Sequence, residues 1–201
     1  MLKQRQPHGF PIFFLTEMWE RYGFYVVQSL LALYLALHFK WLDERVYELV
    51  GSFTALTYLS PVIGGWIGDH LIGQKKAILT GTCFLFFSYL ALFMFASDQG
   101  MIMALSSIAL GTGLLKPNIS SLLGNEYPAN SSRRESGFTI FYMGITTGII
   151  LGTTLPSQIN YYYGWGSAFA SAAIGLVIAA MVFIYGIRRY NIADYHPTEV
   201  V

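Results

Sequence analysis

A chain of 201 residues with a net charge of +1 is long enough for one soluble domain, yet only 11% of it is charged and 54% is hydrophobic, against about 25% charged in soluble domains. With its positive mean hydropathy, that composition excludes a soluble globular protein, and a net charge of +1 gives no indication of a nucleic-acid partner. The lone cysteine, Cys83, has no intrachain disulfide partner and is expected to pack as a small buried hydrophobe.

Six apolar runs follow in chain order, at about 9–39, 46–72, 77–96, 101–123, 137–159 and 165–187. Each meets the ~20 residues a helix needs to cross about 30 Å of hydrocarbon. Barrel strands would be about ten residues long and alternate in polarity, which these do not. The first run is too long for a signal peptide and lacks an A-x-A type cleavage site, so it stays in the mature protein. Lys3, Arg5, Lys75, Lys76, Arg133, Arg134, Arg188 and Arg189 cluster at the two termini and the second and fourth loops, which puts both termini in the cytoplasm. The expected fold is an all-α membrane protein of six transmembrane helices in a cell (inner or plasma) membrane.

The first run holds "FFLTEMWERYGFY", with Glu17, Glu20 and Arg21 at i, i+3 and i+4 and Tyr25 and Gln28 extending the same stripe. A charge at the bilayer centre costs at least ~2.5 kcal/mol. Pairing Arg21 with one carboxylate offsets part of that cost and leaves a second carboxylate over, Glu17 or Glu20. A small movement toward or away from the guanidinium would switch the protonation of that surplus group, which is the chemistry of proton coupling.

The second run ends in "GGWIGDHLIGQKK", where Gly65 and Gly68 allow close approach, Gly73 makes a turn, and Asp69, Lys75 and Lys76 gather charge. In the fourth, "GTGLLKPNISS" places Lys116 before Pro117, which frees the carbonyl of Gly113. A kinked helix presenting an ammonium there suits an anionic group. The spacing is not that of a phosphate loop. Glutamates for an ammonium, with Arg21 and Lys116 for a carboxylate, suit a zwitterion such as an amino acid or short peptide. Between the last two runs "YYYGWG" reads as a tight turn. Its Tyr161, Tyr163 and Trp165, with Tyr34 and Trp41, are expected at membrane interfaces. His8, His38, His70 and His196 fall at separate ends, so no metal site is expected. No H-E-x-x-H or G-x-S-x-G occurs, and no enzyme is expected.

"EMWERYGFY" resembles the E-x-x-E-R-F/Y-x-x-Y motif of the proton-dependent oligopeptide transporters of the major facilitator superfamily. "GGWIGDHLIGQKK" and "GTGLLKPN" are similar to that family's loop after the second helix and its fourth-helix segment. The resemblance implies proton coupling at Glu17, Glu20 and Arg21, and peptide contacts from Arg21, Tyr25, Gln28, Tyr58, Lys116 and Thr146. It further implies a cytoplasmic gate at Gly65, Asp69, Gly73, Lys75 and Lys76, latched by charge contacts that form in one state and break in another. Tyr58 rests mainly on the resemblance. Thr146 stands where the family carries Asn, and Phe24 and Gln28 where many members carry Tyr and Arg. No cofactor is implied beyond the proton as coupling ion.

The family has at least twelve spanning helices in two bundles, so residues 1–201 resemble its N-terminal six-helix half. The implied partners are small peptides, protons, lipids and a second six-helix bundle from the same polypeptide, a separate subunit or a second copy. The alternative is a non-transporting remnant or scaffold half.

Overall fold

Polar caps carry the helices beyond the apolar runs in the computed structural model, which describes residues 6–94, 97–128 and 131–194. Helix α1 (Phe10–Leu37) has Pro11 in its first turn, where a missing N–H is least costly. It ends where the His38 N–H donates to the Tyr34 carbonyl at 3.0 Å. Helix α2 (Asp43–Ile67) opens with Asp43 and Glu44 at the positive end of its dipole and runs into a π-helical turn, Gly68–Ile72. Gly73, at φ 85°, closes that turn in a conformation that costs glycine little. Helix α3 is Gln74–Met94. Helix α4 (Asp98–Asn125) is capped by Ser97, whose Oγ accepts from the Gly100 N–H at 3.1 Å. The expected starts at 46, 77 and 101 therefore lie three residues late, because hydropathy does not register polar first turns. Residues 95 and 96 of the expected third span, Lys3, Arg5 and His196 lie outside the described residues.

The last two expected spans form one helical element, α5 (Arg133–Arg189), so the described residues form five α-helices where six were expected. At 57 residues a straight helix would be about 85 Å long. It is not straight: at Gly164 the backbone leaves helical geometry (φ 82°, ψ 170°). A single glycine reverses the chain and leaves no loop. The arms pass α1 in opposite directions: Gly144, Gly148 and Gly152 lie against Phe14, Met18 and Tyr22, while Gly175 and Gly186 lie against Trp19 and Ile12.

Small residues set the other close approaches. Gly64 of α2 faces the Gly113 backbone of α4, and Gly81 of α3 faces Gly111, the kind of contact by which helices associate in lipid. Thus α1 packs between the arms of α5, α2 on α4, and α3 on both α4 and α5. Among the described residues all regular structure is helical. Four of the helical segments are long and apolar enough to cross a membrane; α1 has the length but carries Glu17, Glu20 and Arg21.

Two expectations from composition change. Cys83 is exposed, because it lines an open groove between α3 and the second arm of α5 and is not enclosed by their contact. Tyr34 is buried, packed on His38, Phe39, Trp165 and Phe169 with centroids 5.0–5.4 Å apart. Tyr161 and Tyr163 are exposed.

Candidate functional site

The helical spacing of the α1 charges brings all three together in the interior, where Glu17, Glu20 and Arg21 are 1%, 0% and 4% exposed. Arg21 donates from Nε and Nη2 to the two carboxylate oxygens of Glu20 at 2.5 and 2.7 Å, a bidentate pair. Glu17 stands 3.3 Å from Arg21 Nε, yet neither of its oxygens has a hydrogen-bond partner among the described residues. The surplus carboxylate is therefore Glu17. A buried carboxylate left without hydrogen bonds is costly, so its retention needs a reason other than stability.

The α5 arm that carries Gly148 makes this placement feasible. A side chain at Gly148 would collide with the Met18 carbonyl and crowd Arg21 Cβ, so only a bare backbone lets α5 close over the trio. From α3, Tyr89 is fully buried, lies within electrostatic reach of Glu20 and Arg21, and has a hydroxyl with no hydrogen-bond partner among the described residues.

A cavity of about 180 Å³ opens beside the trio. Arg21, Tyr25 and Gln28 line it from α1, Tyr58 from α2 and Lys116 from α4. Lys116 is half-buried and forms no ion pair among the described residues. Arg21 also lies over Phe24 at 5.0 Å from the ring centroid, and Phe24 joins the lining. The Gln28 Oε1 is buried without a hydrogen-bond partner among the described residues. The site thus offers two cations, a buried acceptor and two phenols around one space, with a carboxylate behind Arg21. That set can hold an anionic group and exchange a proton nearby.

Thr146 does not join the cavity. It is exposed on α5, and its hydroxyl donates to the Tyr142 carbonyl of its own helix at 3.0 Å, the usual recourse of a threonine with no polar neighbour across a helix interface. Thr54, Thr57 and Pro61 also line the cavity. Sequence reasoning missed them, although they share the i, i+3, i+4 face of Tyr58.

At the other end of α2, Asp69 accepts from Gln74 Nε2 at 3.0 Å, and no ion pair joins it to Lys75 or Lys76 among the described residues. Gln74 in turn accepts from Asn125 at 3.1 Å. Gly68 lies against Asn118, which donates to the Gly64 carbonyl at 2.9 Å, and Gly65 faces Pro117. The Lys75 N–H donates to Asp194 at 3.0 Å and its Nζ to the Ile192 carbonyl, while Lys76 is exposed. Nearby Glu126 has its carboxyl raised by burial, with Lys75 opposing. The residues expected to form a gate are gathered at one end of the bundle, where amide and backbone hydrogen bonds hold Asp69 and Lys75. Pro117 sits inside a continuous α4.

A family model described as the POT family matches residues 75–198. Over 201 residues the chain is 35% identical to the dipeptide and tripeptide permease B of Xenorhabdus bovienii, covering 98% of this chain and 41% of that protein. It is 35% identical over 198 residues to the dipeptide and tripeptide permease A of Escherichia coli K12, covering 96% and 40%. Among solved structures it is similar to a mutant of peptide transporter POT in complex with sulfate, with TM-score 0.90, 31% identity, and 95% of this chain and 40% of that one covered. A POT family transporter in complex with 5-aminolevulinic acid gives TM-score 0.87, 28% identity and coverage of 96% and 41%. The chain spans about two-fifths of the length of the relatives it matches.

Proposed function

The chain belongs to the POT family, and on that premise we propose that it is the proton-coupling half of a carrier that takes up di- and tripeptides with protons across a cytoplasmic membrane. The α5 element counts as two membrane passes, reversed at Gly164, so the half has six spans with both termini in the cytoplasm. The relatives' names as dipeptide and tripeptide permeases support the substrate class.

Arg21 and Lys116 receive the peptide carboxylate, with Tyr25, Gln28 and Tyr58 around the backbone. Thr146 meets peptide only when a second six-helix bundle narrows the cleft. That bundle supplies the other wall, and rocking of one bundle against the other alternates access. Glu17, Glu20 and Arg21 form the coupling unit. When Glu17 is protonated, Arg21 is freed from it for the peptide carboxylate; when the proton leaves, Glu17 competes for the guanidinium and the carboxylate is released. The residues clustered at the end of α2 (Gly65, Asp69, Gly73, Lys75 and Lys76) are assigned to a cytoplasmic gate.

The observation that carries this reading is Glu17, 1% exposed and without a hydrogen bond among the described residues, 3.3 Å from a guanidinium that lines the cavity. In the chain assembled with its second bundle, Glu17→Gln is expected to abolish dipeptide uptake driven by a pH gradient while leaving peptide-for-peptide exchange largely intact. Gradient-driven uptake at the unsubstituted rate would overturn the assignment.

A further inference from the structure

On the face built by α3 and the second arm of α5, an apolar groove of about 290 Å³ runs along Cys83, Phe86, Phe87, Leu176 and Val177. It shares Met181 and Ile184 with a second recess of about 500 Å³, which ends at Tyr185, Arg188 and Arg189. Neither recess shares a residue with the peptide cavity. Arg188 and Arg189 are exposed and form no ion pair among the described residues. Lys75 of α3 bonds the Ile192 carbonyl just beyond α5, which brings the start of α3 to the same end of the bundle. Exposed Lys76 lies there, two helical turns from Cys83 on one face of α3.

Two arginines at a helix C-terminus are by themselves accounted for by the helix dipole and membrane topology. A track that is apolar along its length and cationic at one end asks for more: its complement is an amphiphile with a negative head. We propose that this groove binds an anionic phospholipid of the adjoining leaflet, with one acyl chain along Phe87, Val177 and Met181 and the phosphate at Arg188 and Arg189, aided by Lys76. Arginine suits the task because its planar fork meets phosphate oxygens two at a time. The inference requires the membrane fold but not the transport reading.

The test is native mass spectrometry of the full chain in detergent, offered dioleoylphosphatidylglycerol, dioleoylphosphatidylcholine or inorganic phosphate. Phosphatidylglycerol adducts should persist where phosphatidylcholine is lost. The Arg188→Gln/Arg189→Gln double variant should weaken phosphatidylglycerol roughly tenfold to thirtyfold, given the usual contribution of a basic residue at an anionic surface. The Arg188→Lys/Arg189→Lys variant, which keeps the charges and loses the two-point fork, should bind between the Gln variant and the unsubstituted chain, and Val177→Trp, which crowds the acyl track, should weaken binding with the cations intact. Equal retention of the two lipids, unchanged retention in the Gln variant, or displacement of phosphatidylglycerol by millimolar phosphate would overturn the proposal.

Discussion

Glu17 and Glu20 are three residues apart on one helix, yet their side chains meet Arg21 differently. Glu20 takes two hydrogen bonds from the guanidinium and Glu17 takes none. Removing the charge of Glu20 leaves Arg21 buried without its bidentate partner, so Glu20→Gln should lower stability by about 3–5 kcal/mol and depress both exchange and gradient-driven uptake. Glu17→Gln should leave thermal unfolding in detergent nearly unchanged; equal losses of stability in the two variants would show that the carboxylates are equivalent. Lys116→Ala should cut dipeptide uptake roughly tenfold or more at normal membrane expression, since a charge-assisted contact contributes about 1.5–3 kcal/mol. The charged trio was legible in the sequence because i, i+3, i+4 spacing fixes a shared face. Which carboxylate is in surplus was not, since either can reach Arg21 from its own turn and only packed rotamers decide.

Helix lengths were legible to within a few residues because hydrocarbon thickness sets them, whereas the ends were not, since Asp43, Gln74 and Asp98 extend helices with residues that hydropathy counts as loop. The merging of the last two spans turns on Gly164 alone, which composition marks as a turn without giving its length. The glycine stripe Gly144, Gly148 and Gly152 stands at i, i+4 spacing but went unread in the sequence, and its partner, the charged stretch of α1, emerges only from the fold. Two glycines test this directly. Gly148→Ala should destabilise the protein by roughly 1–3 kcal/mol, because its Cβ meets the Met18 carbonyl. Gly51→Ala in α2 has nothing within 4 Å and should be neutral or stabilising by about 0.5–1 kcal/mol. Thermal unfolding in detergent reads both, and equal effects would mean that α5 does not sit on α1 at this height.

At the scale of the molecule, the element that lines one side of the cavity is also the least covered. Tyr58, Leu59, Val62 and Ile63 of α2 are 63–75% exposed, and the cavity they flank holds Arg21 and Lys116. Lipid cannot solvate such a site, since unsatisfied polar groups in hydrocarbon cost several kcal/mol each, and the proposed second bundle would supply the cover. Dipeptide uptake driven by an imposed pH gradient in liposomes decides the matter. With a matching second bundle co-assembled, uptake should be saturable and should collapse when a protonophore dissipates the gradient. The 201-residue chain alone should show none, and robust uptake by the purified monomeric chain would contradict its being half of a carrier.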